Sequence, residues 1–113
     1  MNRHNDMEDR DYIIRTLGAI AEENGAELAI LFGSYGRGTA SRRSDVDVIF
    51  VEQTDDPFLL RIDRYLSPII DRLRLAADVF VYTPKEFMRM RESFFVRKAI
   101  SDGVVVFERR KVS

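Results

Sequence analysis

Two aspartates separated by a single valine, Asp45 and Asp47, stand directly ahead of the apolar run Val48 to Val51. Charged carboxylates are seldom buried without a partner. In an extended chain alternate side chains share a face, so these two lie on one side with Cα atoms about 7 Å apart. Val46 and Val48 point the other way, into packing. Carboxylates this close raise one another's pKa unless a cation lies between them. A hard divalent ion such as Mg²⁺ resolves the conflict, since it is commonly held by one or two carboxylates together with phosphate oxygens and water. Asp78 is the candidate third carboxylate, because it opens the otherwise apolar stretch ADVFVY.

The phosphate side of such a site is legible upstream. Gly33 follows an apolar stretch and begins a turn, where a residue without a side chain lets the backbone approach a ligand. Amide groups at the start of a following helix form a natural phosphate cradle. Ser34 adds a hydroxyl, and Arg37, Arg42 and Arg43 add positive charge. Phosphate on one side of a metal and carboxylates on the other is the arrangement that phosphoryl or nucleotidyl transfer requires. The stretch GSYGRG fits neither the Walker A spacing nor the GxGxxG fingerprint. Taken singly, each part has a plainer reading. Gly33-Ser34 is compatible with an ordinary turn, and the DVD triplet with ion pairs to Arg42 and Arg43. Asp78 is compatible with a salt bridge at a strand edge, Arg37 with an exposed cation, and Tyr35 with a simple loop residue.

Composition narrows the chemistry. The chain has no Cys and one histidine, His4, so disulfides, thiolate metal sites and multi-His sites are excluded and any metal must use carboxylates. Eighteen basic residues against nineteen acidic ones leave no global charge that would announce nucleic acid or a membrane surface. Direct nucleic-acid binding is therefore not expected, although RMRESFFVRK carries a basic face. No stretch approaches the roughly 18 apolar residues of a membrane span. The polar, acidic N-terminus is not that of a signal peptide, and a cytoplasmic location is expected. At 113 residues, 45% of them hydrophobic, the chain is expected to form one domain over residues 1–113.

The elements that must position these residues follow from periodicity. Met7 to Asn24 carries a helical stripe, Ile13, Ile14, Leu17, Ile20 and Ala21, stopped by Asn24-Gly25. Ala26 to Phe32 reads as a strand, Gly33 to Ala40 as a turn opening a short helix, and Asp45 to Val51 as a second strand. Pro57 suits a first helical turn with Asp56 as cap. The helical face from Phe58 to Leu73 is interrupted by Pro68, which predicts a kink or two consecutive helices. Ala77 to Tyr82 reads as the third strand. Thr83, Pro84 and Glu86 form a capping-box pattern that opens a helix over Lys85 to Ser101. Asp102-Gly103 ends that helix, and Val104 to Phe107 can form a last strand. The order αβαβαβαβ predicts an α/β fold, a small mixed sheet packed with helices.

Gly33-Ser34, ten residues, then Asp45-Val46-Asp47 reproduces the GSx₁₀DxD signature, and the chain resembles the DNA polymerase beta-like nucleotidyltransferase superfamily. By typical residue usage, four such positions coincide by chance in about one chain in a thousand, so the joined motif outweighs its parts. The stretch GSYGRGTASRRSDVDV is similar to the minimal nucleotidyltransferases, small members with this fold alone, and the likeness runs over the whole chain to TPKEF. The resemblance implies that Gly33 and Ser34 bind the phosphates of ATP, and Arg37, by its nearby charge, is a further candidate contact. It implies that Asp45 and Asp47 bridge two Mg²⁺ ions. Asp78 would be the third ligand, helping to deprotonate the acceptor hydroxyl. Larger members carry a helical domain that holds the acceptor, whereas minimal ones are often paired with a HEPN ribonuclease toxin. Some of these act as antitoxins by adding AMP to a tyrosine of that toxin, and this is the expected role. Two other functions share the fold: a module that masks the toxin without catalysis, and transfer to a small molecule such as an aminoglycoside.

Overall fold

The computed structural model describes residues 6–41 and 43–109. His4 and Arg42 lie outside them. The elements are α1 (Asp6–Asn24), β1 (Leu28–Phe32), α2 (Gly33–Arg37), β2 (Val46–Val51), α3 (Phe58–Leu73), β3 (Ala77–Tyr82), α4 (Pro84–Met90), α5 (Phe94–Asp102) and β4 (Val104–Glu108). The strands form one sheet in the order β3-β2-β1-β4. β1 pairs antiparallel with both β2 and β4, while β2 and β3 are parallel. Parallel neighbours need a long crossover, and α3 supplies it. The mixed sheet is the architecture that the element order predicts.

Strand alternation divides the sheet between two helical layers. Ala29, Leu31, Val46, Val48, Phe50, Val79 and Val81 point to the face packed by Leu17 and Ile20 of α1 and Tyr65 and Ile69 of α3. This is the main core, and Phe50 stacks on Tyr65 with ring centroids 4.0 Å apart. On the opposite face Ile49, Val51 and Tyr82, with Phe32 and Phe80, meet Phe87 and Met90 of α4 and Ala99 of α5. Asp47 and Asp78 belong to this second face, where helices cover less of the sheet.

Three expectations are corrected. Pro68 does not divide the segment into two consecutive helices, since α3 runs unbroken through it. A proline inside a helix strands the carbonyl four residues earlier, here that of Arg64. Asn24 Nδ2 from α1 donates to that carbonyl at 3.3 Å. The helix expected over Lys85 to Ser101 is two helices. Ser93 separates them, donating through Oγ to Met90 O at 2.7 Å and accepting from Val96 N at 3.2 Å. Asp56 does not cap α3 with its side chain; Pro57 is the N-cap residue and no side-chain cap bond forms there. The capping box of Thr83 and Glu86 with Pro84 is present as expected.

Candidate active site

The carboxylates meet where β2 begins beside β3. Asp47 is the second residue of β2 and Asp78 the second of β3, and parallel register pairs them directly. Across the other edge of β2, Phe32 is the antiparallel partner of Asp47. One row therefore runs Phe32, Asp47, Asp78 across three strands. Asp45 lies just outside β2 and is exposed, and Asp78 is exposed on the edge strand, while Asp47 is half-buried between them. Burial above all, then the charge of Asp78 and a hydrogen bond with it, then the charge of Asp45, push the Asp47 carboxyl up to about 6; Arg37 acts in the opposite sense.

The turn after β1 is built around that carboxylate. Gly33 has φ +65°, a left-handed conformation that disfavours a side chain. A Cβ placed on it would run into Asp47 Oδ2. The polypeptide thus brings the Gly33 backbone into contact with the central carboxylate, and α2 departs from that point carrying Ser34. Gly38, at φ +80°, ends α2, with its own amide on Tyr35 O and the amide of Thr39 on Ser34 O. Arg10 of α1 clamps the same short helix, donating Nε to Tyr35 O at 2.8 Å and Nη2 to Gly36 O at 3.1 Å.

The fold thus brings Gly33, Ser34, Asp47 and Asp78 together with Asp45 at the rim. Arg37 is close enough to act on Asp47, yet its guanidinium lies 3.6 Å from Asp102 of α5, which also pairs with Lys98 at 3.2 Å. Among the described residues no three acidic, His or Cys side chains stand ready to hold a metal ion. The donor chemistry fits a hard divalent cation all the same. The set is carboxylate oxygen throughout, and a cation among them would offset the burial and the neighbouring charges that raise the Asp47 pKa. A cleft of about 780 Å³ on this sheet face lies elsewhere, over Leu28, Val51 and Phe87 toward the far ends of β1 and β2.

Two features escape the sequence. Arg10 gives no signal in a charged stretch. Phe32, Phe80 and Phe95 gather beside the carboxylates, with centroid separations of 5.0 to 6.2 Å. Only the alternation of β3, which places Phe80 on the face of Asp78, could have pointed to part of that cluster.

The nucleotidyltransferase domain family matches residues 13–106, a span that contains β1, β2, β3, the start of β4 and every carboxylate just described. The chain belongs to the nucleotidyltransferase domain family. Among curated protein sequences none matches significantly. Solved structures share the fold. One assigned as a nucleotidyltransferase from Sulfolobus solfataricus has a TM-score of 0.62 at 23% identity, covering 98% of this chain and 95% of that one. A toxin–antitoxin structure with AMP-PNP has a TM-score of 0.64 at 19% identity, covering 89% of this chain and 74% of that one. A mutant of the toxin–antitoxin MntA-HpeT has 0.63 at 17%, with the same coverages. Among the described residues of this family member, no helix is long and apolar enough to cross a membrane.

Proposed function

We propose that this nucleotidyltransferase moves AMP from ATP to a hydroxyl of a partner toxin, in an Mg²⁺-dependent reaction, and so acts as an antitoxin. The observation that carries the catalytic part is the row Asp47–Asp78 with the Gly33 backbone against Asp47. The toxin is supported by fold likeness to two toxin–antitoxin structures, one with AMP-PNP. A tyrosine of a HEPN-type toxin is the acceptor that the sequence resemblance suggests.

In this reading the Gly33 amide and Ser34 hold the outer phosphates, and Arg37 steadies their charge. Asp45 and Asp47, with Asp78, would hold two Mg²⁺ ions. Those ions supply neutralisation of the triphosphate and a lowered pKa for the attacking hydroxyl. Asp78, exposed on the edge strand, is the carboxylate an acceptor can reach, and it takes the hydroxyl proton. The hydroxyl oxygen bonds to the α-phosphorus, the bond from that phosphorus to the bridging oxygen breaks, and pyrophosphate leaves. Asp47 stays in place as the fixed central ligand.

Incubation with labelled ATP, Mg²⁺ and the co-purifying partner tests the proposal, and the partner should gain the mass of one or more AMP units. No label on any protein would sink the catalytic part. If Asp47→Asn and Asp45→Asn still neutralise the toxin, masking rather than transfer is the mechanism. A mass gain confined to a small molecule would shift the acceptor class.

A further inference from the structure

We propose that Phe95, with Phe32 and Phe80 packed against it, forms the stacking floor for the nucleobase of the triphosphate, a floor that favours purines and does not choose between adenine and guanine. This rests on the nucleotidyltransferase reading of the carboxylate site.

Position comes first. Phe32 stands in the same cross-strand row as Asp47 and Asp78. Phe80 is the next residue on the Asp78 face, one two-residue step of about 7 Å along the edge strand. That is the reach of a ribose from a phosphate held at the carboxylates. Phe95 closes the group from α5, edge-on to Phe32 at 5.6 Å and tilted against Phe80 at 5.0 Å. The outer phosphates are assigned to Gly33 and Ser34, on the β1 side of the row. The nucleoside therefore leaves the row toward the edge of α5, where Phe95 meets Phe32 and Phe80.

Surface and chemistry agree. Phe95 keeps 37% of its area exposed and packs on Phe32, the cross-strand neighbour of Asp47. An aromatic ring left at the rim of a charged site offers a π-face to another flat ring. Stacking of a base on an aromatic side chain tolerates every base, because each has a π-face. Strong rejection of one base over another needs hydrogen bonds that the wrong base leaves unmade. The three rings carry neither donor nor acceptor. A larger purine covers more of them than a pyrimidine does.

Titration calorimetry with Mg²⁺-ATP, Mg²⁺-GTP, Mg²⁺-CTP and inorganic tripolyphosphate tests the floor, on the full chain and on Phe95→Leu and Phe95→Trp. Leucine retains apolar packing of α5 without the π-face, and thermal melting checks that each variant folds. Expected are ATP and GTP affinities within about threefold of each other and tighter than CTP. Phe95→Leu should weaken both purine nucleotides about tenfold, within the range of single-base stacking, leave tripolyphosphate unchanged, and be rescued by Phe95→Trp. Unchanged ATP affinity in Phe95→Leu overturns the proposal. So does an equal loss for tripolyphosphate, or a tenfold preference between ATP and GTP. If the unaltered protein binds neither ATP nor tripolyphosphate, the phosphate-site reading fails and takes the floor with it. Tripolyphosphate binding with ATP no better in any variant removes the floor alone.

Discussion

The backbone of Gly33 lies so close to the Asp47 carboxylate that no side chain fits between them, and the left-handed φ of Gly33 excludes one independently. Gly33→Ala must therefore either move the carboxylate or unwind the start of α2. The conformational cost alone is about 1–2 kcal/mol, and thermal melting should show it. Nucleotide transfer should fall far more than stability, because Asp47 is displaced from the row it shares with Asp78. A variant that melts lower but transfers at the normal rate would separate the glycine from the chemistry.

Asp47 also sets an expected pH dependence in metal-free buffer. Its folded-state pKa is raised to about 6 from an ordinary 3.8, by burial first and then by Asp78. The native protein thus holds a proton that the unfolded chain has released between pH of about 4 and about 6. Stability conferred by that proton is present at the low end and is lost as pH rises through the window. With allowance for solvent screening the loss is about 1 kcal/mol. Denaturant titrations with chelator present should show it, and Asp47→Asn should flatten that part of the profile and be more stable at pH 8. A variant that keeps the slope would assign it to another group.

The carboxylate pair and the Gly33-Ser34 turn were legible because strand alternation puts Asp45 and Asp47 on one face and a fixed local spacing ties them to the turn. Asp78 was legible as a lone charge in an apolar run. The pairing of Asp47 with Asp78 was not, because register across two strands is decided by how α3 returns the chain. Pro68 misled for the same reason. Its compensating donor, Asn24, sits in another helix, 40 residues from the Arg64 whose carbonyl it serves. The break before α5 was hidden because Ser93, its cap, is embedded in RMRES, a charged run with good helix propensity. Phe95 could not be joined to Phe32 and Phe80 until that break re-aimed α5.

At the far end of β2 a buried polar cluster fastens α3 to the sheet. Glu52 is 6% exposed, accepts from both guanidinium nitrogens of Arg64 at 3.0 and 2.8 Å and from the Tyr65 hydroxyl. Burial and that carboxylate raise the Tyr65 pKa and keep the phenol protonated. Tyr65→Phe removes a hydrogen bond to a charged acceptor and should cost about 1.5–3 kcal/mol. Glu52→Leu should cost more than Tyr65→Phe, since it removes the acceptor of the Tyr65 hydroxyl and of both Arg64 bonds at once. Both variants should keep nucleotide affinity, because the cluster is on the opposite sheet face from Asp47. Loss of ATP binding without loss of stability would contradict that separation.

Asn24 and Pro68 make the most specific stability test. Asn24 Nδ2 serves the carbonyls of Ile20 at 3.1 Å and Arg64 at 3.3 Å, and the second is the one Pro68 leaves without its helical partner. Asn24→Ala should therefore cost about 1 kcal/mol, the net value of a hydrogen bond at a half-buried site. In a Pro68→Ala background residue 68 regains an amide that can bond Arg64 O within the helix, and the same Asn24→Ala change should cost less. Denaturant unfolding of the two single variants and the double variant gives the coupling, expected at about 0.5–1 kcal/mol for groups that share one acceptor. Equal cost of Asn24→Ala in both backgrounds would mean that water, rather than Asn24, satisfies the carbonyl exposed by Pro68.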